Sequence, residues 1–427
     1  MARMLKRFSL YGFLKNQQYY DYFLILAFRQ MGLSYFMIGT LIAFRELVVA
    51  LMEVPTGAIA DIFGRRRCMA FSLLSYIVSF TIFGSVGLLA VHKGISQYAL
   101  LAFLFFAMMC FAIGDAFRTG THKAMIFRWL NLEGRAGQGT RVYGYTRSWS
   151  KVGSAVSVIV ACVFVFLTGN FISVFFLTII PYVLNIVNLL GYPEDLDGDR
   201  HSSSSIRDMM RYLKEALIIS LRRADLRRLM LESMGFEGFF KAARDYLQPI
   251  LQKASLPLVA ALFTNVEMTV EQRSVFLIGP IYFLLFILSA VASRKAYFFS
   301  EMAGKEDKAA WVIWGMSLFI FLFLTPAMYY NIYWIMITGF VFMHILQNIW
   351  RPVLISRFSK YAQESMGATI LSIESQAKSV STMIIAPLLG LAVDMAGRNH
   401  IGLSKFWPLG VLGAIITLVF FLAGRKR

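Results

Sequence analysis

Charged side chains are scarce in this 427-residue chain: 15% of residues are Asp, Glu, Lys or Arg, against 58% hydrophobic. Soluble domains carry about 25% charge, so this chain lacks the ionic surface that water requires. Its apolar excess calls for lipid, where about 20 helical residues cross a hydrocarbon core of roughly 30 Å and each helix satisfies its own backbone. Acid is scarcer still, with 24 Asp and Glu against 42 Lys and Arg, a formal charge of +18. Such a surplus can mark a nucleic-acid binder, but these bases cluster between hydrophobic runs rather than along one basic domain, so nucleic acid is not expected as a partner.

Only three cysteines occur, Cys68, Cys110 and Cys162, all in or at the ends of hydrophobic runs. With no C-x-x-C pair and no neighbouring His, they form neither a disulfide framework nor a zinc site, and they read as packing residues. The G-x-x-x-x-G-K-[ST] loop of ATP-hydrolysing proteins is missing, as are H-E-x-x-H and G-x-S-x-G. An enzyme is therefore not expected, nor a cofactor or bound metal. Arg3, Lys6 and Arg7 precede an apolar stretch, but Lys15 and Asn16-Gln17-Gln18 interrupt it and no small-residue cleavage site follows. No removable signal peptide is read there.

What is present is a series of long apolar runs. Hydropathy predicts an all-α membrane protein of twelve spans, near 10–33, 37–60, 68–91, 97–124, 141–168, 171–191, 228–251, 273–293, 309–328, 331–353, 364–392 and 404–423. Alternate loops carry the base: Arg65 to Arg67, Arg128 and Arg135, Arg294 with Lys295, Lys305 and Lys308, Arg357 and Lys360, then Arg425 to Arg427. The opposite loops offer only Lys93, Lys253, Arg398 and Lys405. By the positive-inside rule both termini are expected in the cytoplasm, in a multi-pass protein of the cytoplasmic (inner) membrane. Much of the +18 is then topology rather than function.

A long connection opens with Glu194-Asp195-Leu196-Asp197-Gly198-Asp199 and the serines Ser202 to Ser205. It divides the chain into an expected N-terminal bundle, 1–191, a cytoplasmic linker, 192–227, and a C-terminal bundle, 228–427. Within the linker Ile206, Met209, Met210, Leu213, Leu217, Ile218 and Leu221 recur at helical spacing among Arg and Lys, as in an amphipathic helix lying on an anionic leaflet.

The two bundles echo one another. Asp21-Tyr22 in the first span meets Asp245-Tyr246 in the seventh at an offset of 224 residues; Asp115-x-x-Arg118 meets Asn348-x-x-Arg351 at 233; Arg147-x-x-x-Lys151 meets Glu374-x-x-x-Lys378 at 227. Three matches joining span n to span n+6 support a parallel duplication, two pseudo-symmetric bundles of six helices.

The second span ends Glu53-Val54-Pro55-Thr56-Gly57-Ala58-Ile59-Ala60-Asp61-Ile62-Phe63-Gly64-Arg65-Arg66-Arg67. This G-x-x-x-D-x-x-G-R-R pattern resembles the signature loop of the major facilitator superfamily, and with the two-times-six architecture the resemblance covers essentially the whole chain. It implies a conformational latch at Gly57, Asp61, Gly64, Arg65 and Arg67. Gly57 allows a close helix approach and Gly64 a tight turn, while Asp61 can meet an arginine or the positive end of a facing helix. Ile62 stands where many members have a base. The fourth-span stretch Phe117-Arg118-Thr119-Gly120-x-x-x-Ala124-x-Ile126-Phe127 also resembles solute and drug carriers of the family, although Arg128 replaces the aspartate usual after that last aromatic. The fifth span has Gly153-Ser154-Ala155 in place of a glycine-proline motif of many drug/proton antiporters. The corresponding loop of the second half is read at Ser293-Arg294-Lys295, which lacks the aspartate and both glycines, so the latch is expected to be one-sided.

Ionisable residues within spans mark candidate sites, because a charge at the bilayer centre costs at least a few kcal/mol unless it faces a wet cavity or a partner. The candidates are Asn16, Gln17 and Asp21 in the first span, Asp115 and Arg118 in the fourth, and Arg147 and Lys151 in the fifth. Lys241, Arg244 and Asp245 follow in the seventh, Asn348 and Arg351 in the tenth, Glu374 and Lys378 in the eleventh. The resemblance implies that spans 1, 4, 7 and 10 line a central cavity, completed by 5, 8 and 11. Asp21 is read either as a proton carrier or as half of a static ion pair, with Lys15, Lys241 or Arg244 as candidate partners. Bases slightly outnumber acids at these positions, which favours an anionic or zwitterionic solute; a gating ion pair of Arg147 with Glu374 is the competing account. The resemblance implies a monomeric secondary active transporter of a small organic solute in a lipid bilayer, working by alternating access with protons as a candidate coupling ion. The alternatives are a facilitative uniporter and a non-transporting sensor or scaffold of the same fold.

Overall fold

The computed structural model describes the chain except residues 1, 120, 136–137, 198–210, 212–217, 219–221, 265, 360–366 and 426–427. The side chains of Gly57 and Asp61 also lie outside the described set, as do the linker serines and nearly all of the expected amphipathic helix. Among the described residues all regular structure is helical. The chain packs as two compact units, Met1–Gly32 with Phe44–Met210, and Leu33–Ala43 with Arg211–Arg427.

The N-terminal unit opens with α1 (Ala2–Lys15) and α2 (Leu24–Gln30). The first span was expected to run unbroken from 10 to 33; instead residues 16–23 are turns. The cause is local. The Asn16 N–H reaches back three residues to the Phe13 carbonyl (3.2 Å), and its side-chain Nδ2 donates to the Gly12 carbonyl (2.7 Å), the acceptor that a continuing helix would use. The chain continues in α3 (Tyr35–Phe63), whose first turns group with the C-terminal unit, then α4 (Arg65–Val91), α5 (Gln97–Arg118), α6 (Thr121–Leu132), α7 (Gly139–Thr168) and α8 (Ser173–Leu190). The expected fourth span is thus split at Thr119 into α5 and α6. Ser72 donates to the Gly114 carbonyl (2.7 Å) and Ser79 to that of Ala107 (2.8 Å), joining α4 to α5 with small residues as helices do in lipid.

Gly64 separates α3 from α4 at φ +95, a conformation that an L side chain rarely adopts. Across that turn the Arg66 N–H donates to Asp197 Oδ1 (2.8 Å), so the carboxylate caps the new helix. Arg66 also donates through its guanidinium to the Tyr192 carbonyl and to Glu194, both at 2.8 Å, and Arg128 donates to the Asp195 carbonyl (2.6 Å). The acidic run 194–197, a 3₁₀ turn, is therefore folded against the signature loop.

The C-terminal unit starts with the same kind of interruption. Its first element comprises α9 (Ala224–Ser233), a π turn (Met234–Gly238), α10 (Phe239–Ala243), a 3₁₀ turn (Arg244–Tyr246) and α11 (Leu247–Leu262). The 3₁₀ turn holds Asp245, the repeat counterpart of Asp21 in the break of the first unit. Next come α12 (Val270–Ala303), α13 (Glu306–Tyr329), α14 (Tyr333–Ser359), α15 (Gly367–Ala396) and α16 (Trp407–Arg425). Here the loop expectation is corrected: α12 runs straight through Ser293-Arg294-Lys295, and the chain turns at Gly304 (φ +78). The second half therefore has a turn glycine, further along the chain than read, because Tyr297, Phe298 and Phe299 keep the end of α12 apolar. Its core centres on Trp314 and Trp350, which pack with Phe236 and Phe420.

Nine helices among the described residues are long and apolar enough to cross a membrane. The three remaining expected spans, 10–33, 228–251 and 331–353, are the two interrupted elements and α14. Large apolar side chains such as Leu167 and Leu190, each 74% exposed, cover the outer faces, an arrangement that suits hydrocarbon rather than water.

Candidate functional site

In the N-terminal unit the break after α1, the α5/α6 junction and one face of α7 enclose a cavity of about 470 Å³. Among the described residues five bases line it, Lys15, Arg118, Lys123, Arg147 and Lys151, and no carboxylate does. Gln17 Nε2 donates to the Gly153 carbonyl (3.2 Å) and the Tyr22 hydroxyl to that of Ser154 (3.2 Å), which pins the broken segment to α7. A Cβ on Gly153 would lie 2.5 Å from the Phe13 carbonyl oxygen, so only glycine permits this approach.

Arg118 is set by its neighbours. Its Nη2 donates to Asp115 Oδ1 (2.6 Å) and its Nε to the Tyr76 hydroxyl (3.0 Å), while that hydroxyl donates to the same carboxylate oxygen (2.5 Å). His122 stacks on Tyr11 with ring centres 3.8 Å apart. It is a packing histidine, held by Phe8 and within 3.3 Å of the Tyr192 hydroxyl. On α7 Arg147 and Lys151 are one turn apart on the cavity side, with Ser150 and Ser154 between and beyond them.

Of the expected first-span residues, Asn16 lines this cavity, whereas buried Gln17 serves the backbone and Asp21 lies in the turn outside the lining. Tyr11, Lys15 and Tyr76 are additions; the polar run after Lys15 did not announce the break that aims it inward, and Tyr76 carries no signal of its own.

The C-terminal unit arranges its charges differently. Arg351 on α14 meets Glu374 on α15 through two bonds, Nη1 to Oε1 at 2.7 Å and Nη2 to Oε2 at 3.0 Å, and Ser233 donates to Oε1 as well. Glu374 is fully buried. Both Glu374 carboxylate oxygens are taken within the C-terminal unit. Lys378 follows one turn along α15 and Lys241 sits on α10, both half-buried. Gln347 Nε2 lies 3.5 Å from Glu237 Oε2, and Oε1 of buried Glu237 has no hydrogen-bond partner among the described residues. Asn348 bonds Ser289 (3.1 Å) and Ser293 (3.2 Å) on α12, which makes it a packing residue. Arg244 and Asp245 face each other within the 3₁₀ turn at 3.3 Å.

A second charge cluster was missed. Glu232, 2% exposed, receives two bonds from Arg357 (2.5 and 3.3 Å) and one from Arg228 (2.8 Å), and Arg357 also reaches Asp307 (2.8 Å). Arg357 was read as a loop base because hydropathy ends the tenth span near 353, whereas α14 continues to Ser359.

Residues 16–373 match the Major Facilitator Superfamily. No curated protein matches the sequence. Similar solved structures include a mutant of the nucleoside transporter NupG, at 12% identity over 99% of both chains with a TM-score of 0.76. A bacterial homologue of the iron transporter ferroportin in an inward-facing state gives 11% identity over 100% of this chain and 98% of that one, TM-score 0.70. A D-xylose-proton symporter gives 12% over 98% and 96%, TM-score 0.67. At these identities the likeness is one of fold. The family match over most of the chain, the apolar helices and the paired interrupted elements agree, and this multi-pass membrane protein belongs to the Major Facilitator Superfamily, as a transporter rather than an enzyme.

Proposed function

We propose that the chain is a secondary active transporter that moves a small organic solute with an anionic end across the cytoplasmic membrane by alternating access. The observation that carries this reading is the cavity of the N-terminal unit, where five bases converge and no carboxylate lines the wall among the described residues. Unmatched bases in a membrane site are costly, and a solute that brings the counter-charge removes that cost as it binds. Arg118 is met by Asp115 as Arg351 is by Glu374 in the C-terminal unit, so the anion-accepting charge of the cavity is chiefly that of Lys15, Arg147 and Lys151.

The base-rich loops support cytoplasmic termini, and the protein works as a monomer in the bilayer. The signature loop, with Gly57, Asp61, Gly64, Arg65 and Arg67, acts as a latch on that side. A proton is the coupling ion, and Glu237 is a better carrier for it than Asp21, since one Glu237 oxygen is buried without a hydrogen-bond partner among the described residues.

Counterflow in proteoliposomes tests the reading. Vesicles preloaded with the right anionic solute are expected to accumulate its labelled form transiently; exchange of neutral or cationic solutes alone would defeat the anion assignment. An Asp61→Asn variant with unchanged transport rate and conformer populations would remove the latch.

A further inference from the structure

The cavity of the N-terminal unit holds more positive charge than a single carboxylate would balance. Arg118 is met by Asp115, and Lys123 faces the rings of Phe127 and Tyr143 at 5.8 and 5.6 Å. Lys15, Arg147 and Lys151 remain, with no carboxylate at ion-pair distance among the described residues. Arg147 and Lys151 lie four residues apart on one helix, where like charges repel. Tyr11 lines the same cavity, is only 2% exposed, and its hydroxyl is buried with no hydrogen-bond partner among the described residues. A buried hydroxyl in that condition costs free energy until an acceptor arrives.

We infer that this cavity receives a multiply charged tetrahedral oxyanion, the phosphate monoester end of a small organic solute. Lys15, Arg118, Arg147 and Lys151 donate to its oxygens, and the Tyr11 hydroxyl is the neutral donor. The donors come from three separate elements, α1, α5 and α7, and a tetrahedral head presents oxygens in enough directions to meet them. A carboxylate offers two coplanar oxygens and one charge, which leaves Arg147 and Lys151 repelling one another. Guanidinium groups also match the spacing of phosphate oxygens through paired N–H donors. At about 470 Å³ the cavity has room for such a head and a short organic body.

The inference deepens the transporter reading, on which it rests for how the solute arrives, but binding can be measured separately. The full chain is placed in phosphatidylcholine nanodiscs, and thermal unfolding is followed with glycerol 3-phosphate, inorganic sulfate, glycerate and glycerol. Ligands that bind the folded state raise its midpoint by mass action. Glycerol 3-phosphate and sulfate are expected to stabilise it, glycerate at least tenfold more weakly and glycerol not at all. Arg147→Gln and Lys151→Gln are each expected to weaken the ester by about 10- to 100-fold, the scale of a charge-assisted hydrogen bond, while Lys253→Gln, outside the cavity, keeps the wild-type affinity. Should Arg147→Gln fail to fold, Arg147→Lys serves in its place, with reduced affinity for the ester expected and full affinity counting against the guanidinium's role. Equal stabilisation by glycerate or glycerol, or no response to either oxyanion, overturns the inference. So does stabilisation that appears only in phosphatidylglycerol discs and is not competed by the ester, which would make this a lipid-headgroup site. Ester binding without counterflow defeats the transporter reading alone; counterflow of a carboxylate solute such as glycerate without ester binding defeats this inference alone.

Discussion

Glu374 occupies in the C-terminal unit the repeat position that Arg147 holds in the N-terminal unit, and it pairs there with Arg351, the counterpart of Arg118. The duplicated frame therefore carries opposite charge at one position. In the first unit Arg118 finds its acid three residues back, at Asp115, and Arg147 is left as a surplus cation. In the second unit Asn348 stands at the Asp115 position, and the acid comes from the neighbouring helix instead. At these matched positions the C-terminal pair is neutralised and Arg147 is not.

Removing Glu374 leaves Arg351 facing a buried site without its counter-ion. Glu374→Gln is expected to lower stability by about 1–3 kcal/mol, toward the low end because the Arg351 side chain is 34% exposed. The exchange Arg351→Glu with Glu374→Arg recovers much of that loss, whereas Arg147→Glu with Glu374→Arg does not. Thermal unfolding of the purified variants checks both; rescue by the second exchange alone would point back to a pairing of Arg147 with Glu374.

The Glu232–Arg357 pair is more deeply enclosed, both side chains being at most 4% exposed. Truncating one partner strands the other, so Glu232→Ala is expected to cost about 3–5 kcal/mol and to reduce the yield of folded protein. Asp307→Ala should cost far less, since that carboxylate is 69% exposed. Comparable losses from the two substitutions would show that burial does not set the ranking.

At the signature loop Asp197→Ala removes the cap on α4 and is expected to destabilise the protein by about 0.5–2 kcal/mol. Glu194→Ala, which ends only an exposed ion pair with Arg66, should leave the unfolding midpoint nearly unchanged. The difference is read from melting curves of the two variants side by side.

Coupling is tested at Glu237. With a glutamine there the site no longer takes up and releases a proton, so counterflow is expected to persist while uptake driven by a pH gradient is lost. Asp21→Asn is expected to leave gradient-driven uptake intact, and the reverse ranking would transfer the proton to the first helix.

The long apolar helices were legible because hydropathy over about 20 residues is a strong signal, and α7 declared its two bases through simple helical spacing. The interruption after Lys15 was less so. Asn16-Gln17-Gln18 is conspicuous as a polar run, yet a polar run in a span can equally be a continuous helix facing a cavity. What breaks the helix is the Asn16 amide taking the Gly12 carbonyl, a choice between hydrogen bonds that composition does not reveal. Helix ends shifted for a similar reason: α12 and α14 run past their most apolar stretches, carrying Ser293 and Arg357 into helical surroundings. Repeat matching related Arg147 to Glu374 and Arg118 to Arg351, but an offset relates places in two halves and says nothing of which side chains meet, so the bond of Arg351 to Glu374 was not legible in it.

Because α1 ends at Lys15, that base belongs to the last turn of the helix, the end that carries roughly half an elementary negative charge. The backbone itself thus gives Lys15 a partial counter-ion when no solute is bound. A continuous helix would carry that dipole end further along the chain and leave the lysine amid neutral peptide groups. The interruption lets a positively charged cavity stand empty between loads, the condition a carrier must tolerate on every return stroke.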